Sequence, residues 1–551
     1  MTDGPFGEIE TIDASTRSHA ALAPVALSPA DGEHPRCSTE WLIDNAEAYG
    51  PLLESLRGAR RSVRIAQLAF DADCAAFTRG SPRGVPSRDA VIADMLVELA
   101  TGHGPEIRIL LNATWLLDTA RPLRKYFAAC GVPAKRIEVR GMSRFPHFMH
   151  AKLVLVDGRE AYLLGSPFVN SYWDDGSHIP FEPRRPLREL GGRPLHDVSV
   201  RVRGPAVAKL EAMFECMWRS SGGGKPRAAP RRAPAAATAS HSAQNTGTRI
   251  VCDAPPGVLP GVPDRAMRML AEILAAIARA RRFIYVEHQY LTSRPIAAAL
   301  ATALQLVPQL EIIIVLNQNP DLTAYRAWQN TQLTERGLLA HPRVGVFSLW
   351  STDAHPDRPG ITRISQLFIH SKVLIVDDEW AAAGTSNLDG VSMGDYGDDF
   401  ASALGRRVFR GVRNVEVNVI IDAQDAHDVS HGRNAPRVRE EEAHTIVALR
   451  ERLWHEHLAG AMRKRVEGGW LALWRAAAAA NVRALSSPPA PGDAERRRMV
   501  GNVLPYSTRA FPCHQLADLG IVDPRAASLE LCYNPTWLSV YASPHWIMNI
   551  F

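Results

Sequence analysis

Short apolar runs rich in β-branched residues alternate along the chain with segments whose apolar positions follow a helical period. SVRIAQLAF (62–70) and EIRILLNAT (106–114) have the composition of buried strands. AVIADMLVELA (90–100) and MRMLAEILAAIARARR (267–282) place apolar residues at i, i+3, i+4 and i+7, which is typical of helices packed by one face. This alternation predicts an α/β fold in which helices cover both faces of β-sheets.

The same order of elements occurs twice, about 220 residues apart. SVRIAQLAF has a counterpart in RFIYVEHQYL (282–291), and EIRILLNAT in EIIIVLNQN (311–319). A third pair is LHDVSVRVRG (195–204) and RNVEVNVII (413–421), and each half then reaches a helical pattern that contains a tryptophan. Repetition at a fixed offset predicts two pseudo-symmetric repeats, each a mixed β-sheet flanked by helices.

The predicted boundaries follow from this repetition and from changes in composition. We expect an N-terminal extension at 1–39, a first repeat at 40–220, a linker at 221–248, a second repeat at 249–489 and a C-terminal extension at 490–551. The linker is rich in Gly, Pro, Ala and Ser and has no hydrophobic period, so we expect it to be flexible.

Composition limits the class of protein. Of 551 residues, 46% are hydrophobic and 22% are charged, as in an ordinary soluble globular protein. A net charge of +5 does not by itself indicate a nucleic-acid partner. The seven cysteines lack C-x-x-C or regular spacing, so we expect buried free thiols and neither a disulfide framework nor a cysteine zinc site.

The chain shows no targeting signal that we can identify. Its first thirty residues lack a basic region followed by an apolar core, and the longest apolar runs are too short to cross a bilayer. We therefore expect a cytoplasmic monomer without a transmembrane segment, or a protein exported by a route that reads no cleavable signal peptide.

One polar motif is repeated with the elements. His150, Lys152 and Asp157 form H-x-K-x4-D in HFMHAKLVLVDG, and His370, Lys372 and Asp377 form it again in FIHSKVLIVDD. In a strand, residues two apart point to the same face, so each His projects with its Lys. The aspartates have the opposite parity and lie at the strand end, where we expect them to organise a turn.

The lysines are informative because the chain contains only 7 Lys against 56 Arg. An ammonium group acts as a point charge for a phosphate oxygen, whereas guanidinium imposes a planar fork. Two imidazoles and two ammonium groups in one pocket suit phosphodiester exchange: one neutral imidazole attacks phosphorus and the other, protonated, donates to the leaving alcohol. The lysines would stabilise the developing charge, a task that can replace a metal ion, so we expect no cofactor and no metal site.

These residues resemble the HKD signature of the phospholipase D superfamily, which is H-x-K-x4-D-x6-G-S-x-x-N or a close variant. The second half fits closely through Gly384, Thr385, Ser386 and Asn387. In the first half Gly165 and Ser166 come one residue late, and the expected Asn is displaced to Asn170. The resemblance covers most of residues 40 to 460 and implies a pseudo-twofold α/β/α/β/α sandwich with both motifs at the interface.

The resemblance also implies roles for individual residues. His150 would be the nucleophile and His370 the general acid, an order that the residues alone do not establish. Asp197 and Glu416 would each hold an imidazole, and YVEHQYL would bring Gln289 to the substrate, with His288 where the family has Asn. The phosphate-binding residues would be Ser166, Asn170, Ser386 and Asn387.

The resemblance implies an enzyme that hydrolyses glycerophospholipids at a membrane surface, giving phosphatidic acid and a free head group, with possible transphosphatidylation. A phosphatidyltransferase of the cardiolipin synthase type is the first alternative, and a nuclease of the same superfamily the second. No basic and aromatic stripe indicates a stable nucleic-acid partner. The alternative outside enzymes is a catalytically silent membrane-binding scaffold, which the intact His and Lys pairs disfavour.

Overall fold

Each repeat is built around β-strands whose side chains are mostly buried on both faces. The computed structural model describes residues 36–78, 81, 90–101, 104–113, 118–142, 148–186, 192–224, 244–255, 258–259, 267–321, 323–394, 412–423, 435–459, 469–486, 498–521 and 529–532. The strands of the first repeat are β1 (Arg36–Ile43), β2 (Ser62–Gln67), β3 (Glu106–Asn112), β4 (Ile137–Met142), β5 (Phe148–Met149), β6 (Leu153–Val156), β7 (Glu160–Leu163), β8 (Leu195–His196) and β9 (Val198–Arg203).

The strands of the second repeat and of the C-terminal region are numbered on from those of the first. They are β10 (Gln244–Asp253), β11 (Phe283–His288), β12 (Glu311–Leu316), β13 (Val344–Ala354), β14 (Thr362–Gln366), β15 (Phe368–Ile369), β16 (Lys372–Val376), β17 (Trp380–Gly384), β18 (Asn414–Asp422), β19 (Val503–Pro505) and β20 (Leu529–Leu531).

The helices follow the predicted positions between strands. They are α1 (Asn45–Gly58), α2 (Ile92–Ala100), α3 (Ala120–Ala129), α4 (Val207–Ser220), α5 (Arg268–Arg279), α6 (Arg294–Leu306), α7 (Thr323–Glu335), α8 (Gly390–Met393), α9 (Ala435–Leu458), α10 (Trp470–Ser486) and α11 (Pro512–Asp518). The two tryptophan-bearing patterns correspond to α4 and α9, where Trp218 and Trp454 are fully buried.

The two sheets have the same strand order and the same strand directions. In the first sheet the order is β1-β9-β7-β6-β2-β3-β4, and in the second it is β10-β18-β17-β16-β11-β12-β13. In each sheet, neighbours among the first five strands are antiparallel. The fifth strand is parallel to the sixth, and the sixth is parallel to the seventh. The predicted fold class, two pseudo-symmetric mixed sheets flanked by helices, is confirmed.

The inner faces of both sheets share one hydrophobic core. That core combines residues of the first sheet such as Leu155, residues of the second such as Ile375, and residues of α4 and α9 that lie with them, such as Phe214 and Leu453. Separate cores bury α1 to α3 against the outer face of the first sheet and α5 to α7 against that of the second. The layers are therefore α/β/α/β/α.

Direct strand pairing joins the two sheets. β1 runs antiparallel to β10 with Arg36 opposite Gly247, and Thr39 Oγ1 lies 2.7 Å from Thr248 Oγ1 across that pair. The paired strands thus begin at Arg36, within the predicted N-terminal extension, and at Gln244, within the predicted linker. Residues 225–243 of the predicted linker and 1–35 of the extension lie outside the described residues.

The C-terminal extension adds to the second repeat where it is described. β19 pairs antiparallel with β13, and β20 pairs parallel with β14. Among the described residues, no helix combines the length and the apolar content needed to cross a bilayer.

All seven cysteines are free, but Cys130 is exposed and only Cys37, Cys74 and Cys252 are buried, so the prediction of buried thiols was wrong for the other four.

Asp157 and Asp377 occupy equivalent turns that follow β6 and β16. Both have positive φ, 55° and 56°, a conformation that Asp adopts more readily than most residues. The Asp377 carboxylate accepts hydrogen bonds from the backbone N–H groups of Arg281, Arg282 and Phe283 at 2.6 to 2.8 Å, where β11 begins. The Asp157 carboxylate binds the backbone before β2 in the same way. Each aspartate thus ties its turn to the neighbouring strand.

Replacing Asp377 should destabilise the second sheet. Asp377→Ala leaves three backbone N–H groups without their charged acceptor, and we expect the free energy of unfolding to fall by about 3 kcal/mol. Chemical denaturation followed by tryptophan fluorescence measures the change. Asp357→Ala, which removes an exposed carboxylate, is the control. An unchanged denaturation midpoint for Asp377→Ala would contradict the anchoring role.

Candidate active site

The two H-x-K segments lie where the chain leaves one sheet for the other. β5, just before His150, pairs parallel with β18 of the second repeat, and β15, just before His370, pairs parallel with β8 of the first. The backbone N–H of His150 donates to Val415 O at 3.1 Å, and that of His370 to His196 O at 2.8 Å. Each histidine therefore lies in a break before its strand, not within a continuous strand as predicted.

Each imidazole faces the carboxylate of the other repeat. His150 Nδ1 lies 2.9 Å from Glu416 Oε2, and His370 Nδ1 lies 2.8 Å from Asp197 Oδ2. The sequence pointed to both acids but not to this crossed pairing. Because β18 carries Glu416 and Asp197 lies between β8 and β9, the short cross-repeat strands bring each acid to its imidazole. Both histidines therefore belong to one site.

The two lysines are held by the motif itself. Lys152 Nζ donates to the backbone oxygen of His150 at 2.9 Å, and Lys372 Nζ donates to that of His370. Lys152 is 0% exposed and Lys372 is 3% exposed. Lysine is rarely buried so completely unless an anion or acceptor compensates its charge. The site therefore presents two fixed ammonium groups.

Burial and mutual repulsion favour the neutral forms of the bases. Burial and, next, the Lys372 charge lower the pKa of His370 to about 3, although Asp197 opposes the shift. Burial also lowers the pKa of His150, as do the Lys152 and Lys372 charges. The pKa of Lys152 falls to about 7 through burial and the Lys372 charge, and burial lowers that of Lys372 to about 8. The charge of Lys372, in the second repeat, thus lowers the pKa values of His150 and Lys152 in the first.

The acids remain ionised. Although burial alone raises the pKa of Asp197, His370 and Lys372 outweigh it and bring that pKa to about 2. Burial likewise opposes ionisation of Glu416, but His150 and further hydrogen bonds lower its pKa. An ionised carboxylate beside Nδ1 requires that this nitrogen carries the proton. Nε2 of each imidazole is then left with its lone pair, as a nucleophile or general base needs.

Hydroxyl groups from each repeat support the acids. Ser166 donates to Asp197 Oδ2, and Thr385 Oγ1 donates to Glu416 Oε2 at 2.6 Å. Gly165 is required at its position because a Cβ there would lie 1.9 Å from Asp197 Oδ1. The displaced Gly-Ser pair of the first half therefore still makes room for the acid and binds it.

The predicted phosphate-binding residues divide into two groups. Asn387 is buried, and its Oδ1 has no hydrogen-bond partner among the described residues, so this oxygen is not bound to the scaffold. Ser386 Oγ instead accepts from Asn418 at 2.7 Å, and Ser166 binds the acid. Asn170 accepts from Ala75 N at 2.9 Å and donates to the neighbouring loop, so its amide closes a turn.

Polar residues opposite the lysines were not singled out as site residues by the sequence. His288 pairs with Lys372 across β11 and β16, and the same register places Gln67, the last residue of β2, opposite Lys152. Both are buried, and neither His288 Nδ1 nor the Gln67 amide has a hydrogen-bond partner within the described chain. The feature of the sequence that could have indicated them is that both strands end in a polar residue.

Gln289, the expected substrate-lining residue, is buried and donates to Tyr290 Oη at 2.6 Å.

Comparison with known proteins supports the family resemblance. A family model described as cardiolipin synthase, PLD-like domain matches residues 273–428. Phospholipase D alpha 3 of Arabidopsis thaliana is 24% identical over 339 residues, covering 46% of this chain and 41% of that protein. Major cardiolipin synthase ClsA of Bacillus subtilis (strain 168) is 21% identical over 361 residues, covering 64% of this chain and 62% of that protein.

The match covers less than two thirds of either relative's length. Among solved structures, the chain is similar to phosphatidylserine synthase of Haemophilus influenzae Rd KW20, with a TM-score of 0.47 and 12% identity over 76% of this chain and 89% of that one. The duplicated motif, the matched PLD-like domain and the two curated relatives support the resemblance of this chain to the phospholipase D superfamily.

Proposed function

We propose that the protein is a phospholipase D-type phosphodiesterase that hydrolyses glycerophospholipids to phosphatidic acid and a free head group, with transfer to other alcohols as a side reaction. One observation carries the proposal: two imidazoles hold their Nδ1 protons against crossed carboxylates 2.9 and 2.8 Å away, beside two buried ammonium groups. Such a pocket suits an anionic tetrahedral phosphorus centre.

In the first step, Nε2 of His150 attacks phosphorus while the bond from phosphorus to the head-group oxygen breaks. His370 donates the proton that the leaving alcohol takes. That proton is not held in the free site, where the pKa of His370 is about 3. The negative charge of a bound phosphodiester raises this pKa, so the imidazole binds its proton together with the substrate.

In the second step, His370 removes a proton from water, whose oxygen attacks phosphorus and breaks the phosphorus–nitrogen bond to His150. Phosphatidic acid leaves and both imidazoles return to their starting state. Throughout, the Lys152 and Lys372 ammonium groups stabilise charge on the non-bridging oxygens. The order of the two histidines comes from the family resemblance, in which the N-terminal motif supplies the nucleophile.

A phosphatidyltransferase of the cardiolipin synthase type is the second candidate, because both the matched domain and one relative carry that name. It would share the phosphohistidine intermediate and differ only in the second step, where a lipid alcohol replaces water. Either activity would bring the protein to a membrane surface, where its substrate lies, as a peripheral protein.

The lipid reaction should survive chelation and depend on both histidines. With phosphatidylcholine or phosphatidylethanolamine in EDTA, we expect phosphatidic acid to be released, and His150→Ala and His370→Ala to lower the rate by at least about 10³-fold. Thin-layer chromatography of labelled lipid measures the product, and His455→Ala, on the exposed face of α9, is the control. Cleavage of plasmid DNA with inert lipids would instead assign a nuclease, and cardiolipin as the main product from phosphatidylglycerol would assign the transferase.

A substrate whose leaving group needs no proton should show which histidine is the nucleophile and which is the general acid. With phosphatidyl-p-nitrophenol, the leaving group departs without a proton, but the water step still needs a base. We expect His370→Ala to release one equivalent of p-nitrophenol in a burst and then stop, and His150→Ala to give no burst. Stopped-flow absorbance measures both. The reverse pattern would make His370 the nucleophile.

The fall of kcat/KM at high pH should follow the pKa values of the lysines. Because Lys152 acts in its protonated form and its pKa is about 7, kcat/KM should fall as pH rises above about 7, far below the ordinary range for lysine. Bound phosphate attracts the ammonium proton, so kcat should fall at higher pH than kcat/KM. Lys152→Arg, which keeps its charge, should move this fall of kcat/KM to higher pH. A wild-type kcat/KM that stays constant to about pH 10 would contradict this role.

A further inference from the structure

Beside the catalytic pairs lies a second buried cluster, formed by Asp44, His178, His196 and Glu456. His196 Nδ1 lies 2.8 Å from Glu456 Oε1 and 3.2 Å from Asp44 Oδ1. His178 Nε2 lies 3.0 Å from Glu456 Oε1 and 3.6 Å from Asp44 Oδ2. Two imidazole nitrogens and two carboxylates thus converge on one point, and none of them is used by the proposed reaction.

These close contacts are not all hydrogen bonds. Within the described chain, His196 Nδ1 and Asp44 Oδ2 are buried without a hydrogen-bond partner, although charged groups lie within 3.6 Å of each. A buried polar atom in a folded protein normally has a partner. His178 Nε2 is within hydrogen-bond distance of Glu456 Oε1, but the two unpartnered atoms lie beside the same carboxylates and imidazoles, as ligands around an ion do.

The outer nitrogen of each imidazole also faces a carboxylate. His178 Nδ1 lies 3.3 Å from Asp174 Oδ2, and His196 Nε2 lies 2.9 Å from Glu287 Oε1. Asp174 is itself held by Arg185, whose Nη1 lies 2.9 Å away. A carboxylate behind each histidine fixes the tautomer that leaves the inner nitrogen free, which is the usual support of metal-bound histidine.

Symmetry between the repeats shows that the fold does not require this cluster. Asp44 and Asp253 lie at equivalent ends of β1 and β10, next to the two active-site acids. Asp253 accepts from the first two backbone N–H groups of α5, each at 2.9 Å. Asp44 makes no such cap on α1 and instead faces His196, whose counterpart is Val415.

We propose that Asp44, His178, His196 and Glu456 bind one divalent transition-metal ion, Zn²⁺ being the best match. A tetrahedral zinc site with bonds of about 2.0 Å has ligand atoms about 3.3 Å apart. The imidazole nitrogens and carboxylate oxygens here lie 2.8, 3.0, 3.2 and 3.6 Å apart. Imidazole ligands favour such an ion over Ca²⁺ or Mg²⁺, which prefer oxygen alone. The ion is structural, because it joins segments of both repeats and lies outside the phosphate pocket.

The ion would position an active-site acid. His196 immediately precedes Asp197, and its backbone oxygen accepts from His370 N at 2.8 Å. Asp44 Oδ1 accepts from Asp197 N at 3.2 Å. Fixing these two ligands therefore fixes the carboxylate that holds the His370 imidazole, without contact between the metal and substrate.

Metal content and ligand geometry test the proposal independently of activity. The full chain is stripped with a strong chelator, dialysed against Zn²⁺ or Co²⁺, and measured by inductively coupled plasma mass spectrometry and visible absorption. We expect one ion per chain and the intense bands of tetrahedral Co²⁺. His178→Gln and Glu456→Gln should lose both, whereas His455→Ala, which changes the exposed neighbour of Glu456, should retain them.

The thermal midpoint provides a second measurement, since Zn²⁺ should raise it in the wild type and in His455→Ala but not in the two ligand variants. Glu287→Gln, behind His196, should weaken binding by about 10–100-fold. Substoichiometric metal in the wild type, or full occupancy in both ligand variants, would overturn the proposal and make the cluster a set of imidazole–carboxylate ion pairs. Neither outcome tests the assignment of the lipid reaction, which is measured separately with the His150 and His370 variants.

Discussion

The site depends on one constraint: each imidazole takes its carboxylate from the opposite repeat. The His150–Glu416 and His370–Asp197 contacts, at 2.9 and 2.8 Å, are buried, so separating either pair would strand a charge in a low-dielectric interior. The strand pairs β5–β18 and β8–β15 impose the crossing through the backbone. Neither repeat alone contains a complete set of reacting groups and partners. The proposed catalytic site therefore needs both repeats.

The same burial adjusts the chemistry to an anionic substrate. Burial, together with repulsion from the Lys372 ammonium group, lowers the pKa of Lys152 to about 7. Ionised Asp197 and Glu416 only partly offset this repulsion, because each is engaged with its own imidazole. A phosphodiester would relieve the repulsion and supply the missing negative charge. Binding and protonation are thereby coupled.

Hydrophobic periodicity and the 220-residue offset were sufficient to predict the sheets, because strand burial depends on local pattern. The aspartate turns followed from side-chain alternation. Two features could not be predicted in this way. The break before His150 arises because β5 pairs with a strand more than 260 residues away. The cluster of Asp44, His178, His196 and Glu456 unites four distant segments, and only tertiary packing brings them together.

The pairing of β1 with β10 has a consequence for motion. Backbone hydrogen bonds run from the first sheet into the second, and the shared core fills the space between them. Opening the molecule like a hinge would break a strand pair and expose that core, at a cost comparable to unfolding. Under the proposed function, a lipid would reach the buried histidines without separation of the two sheets, so any motion that admits it would be local.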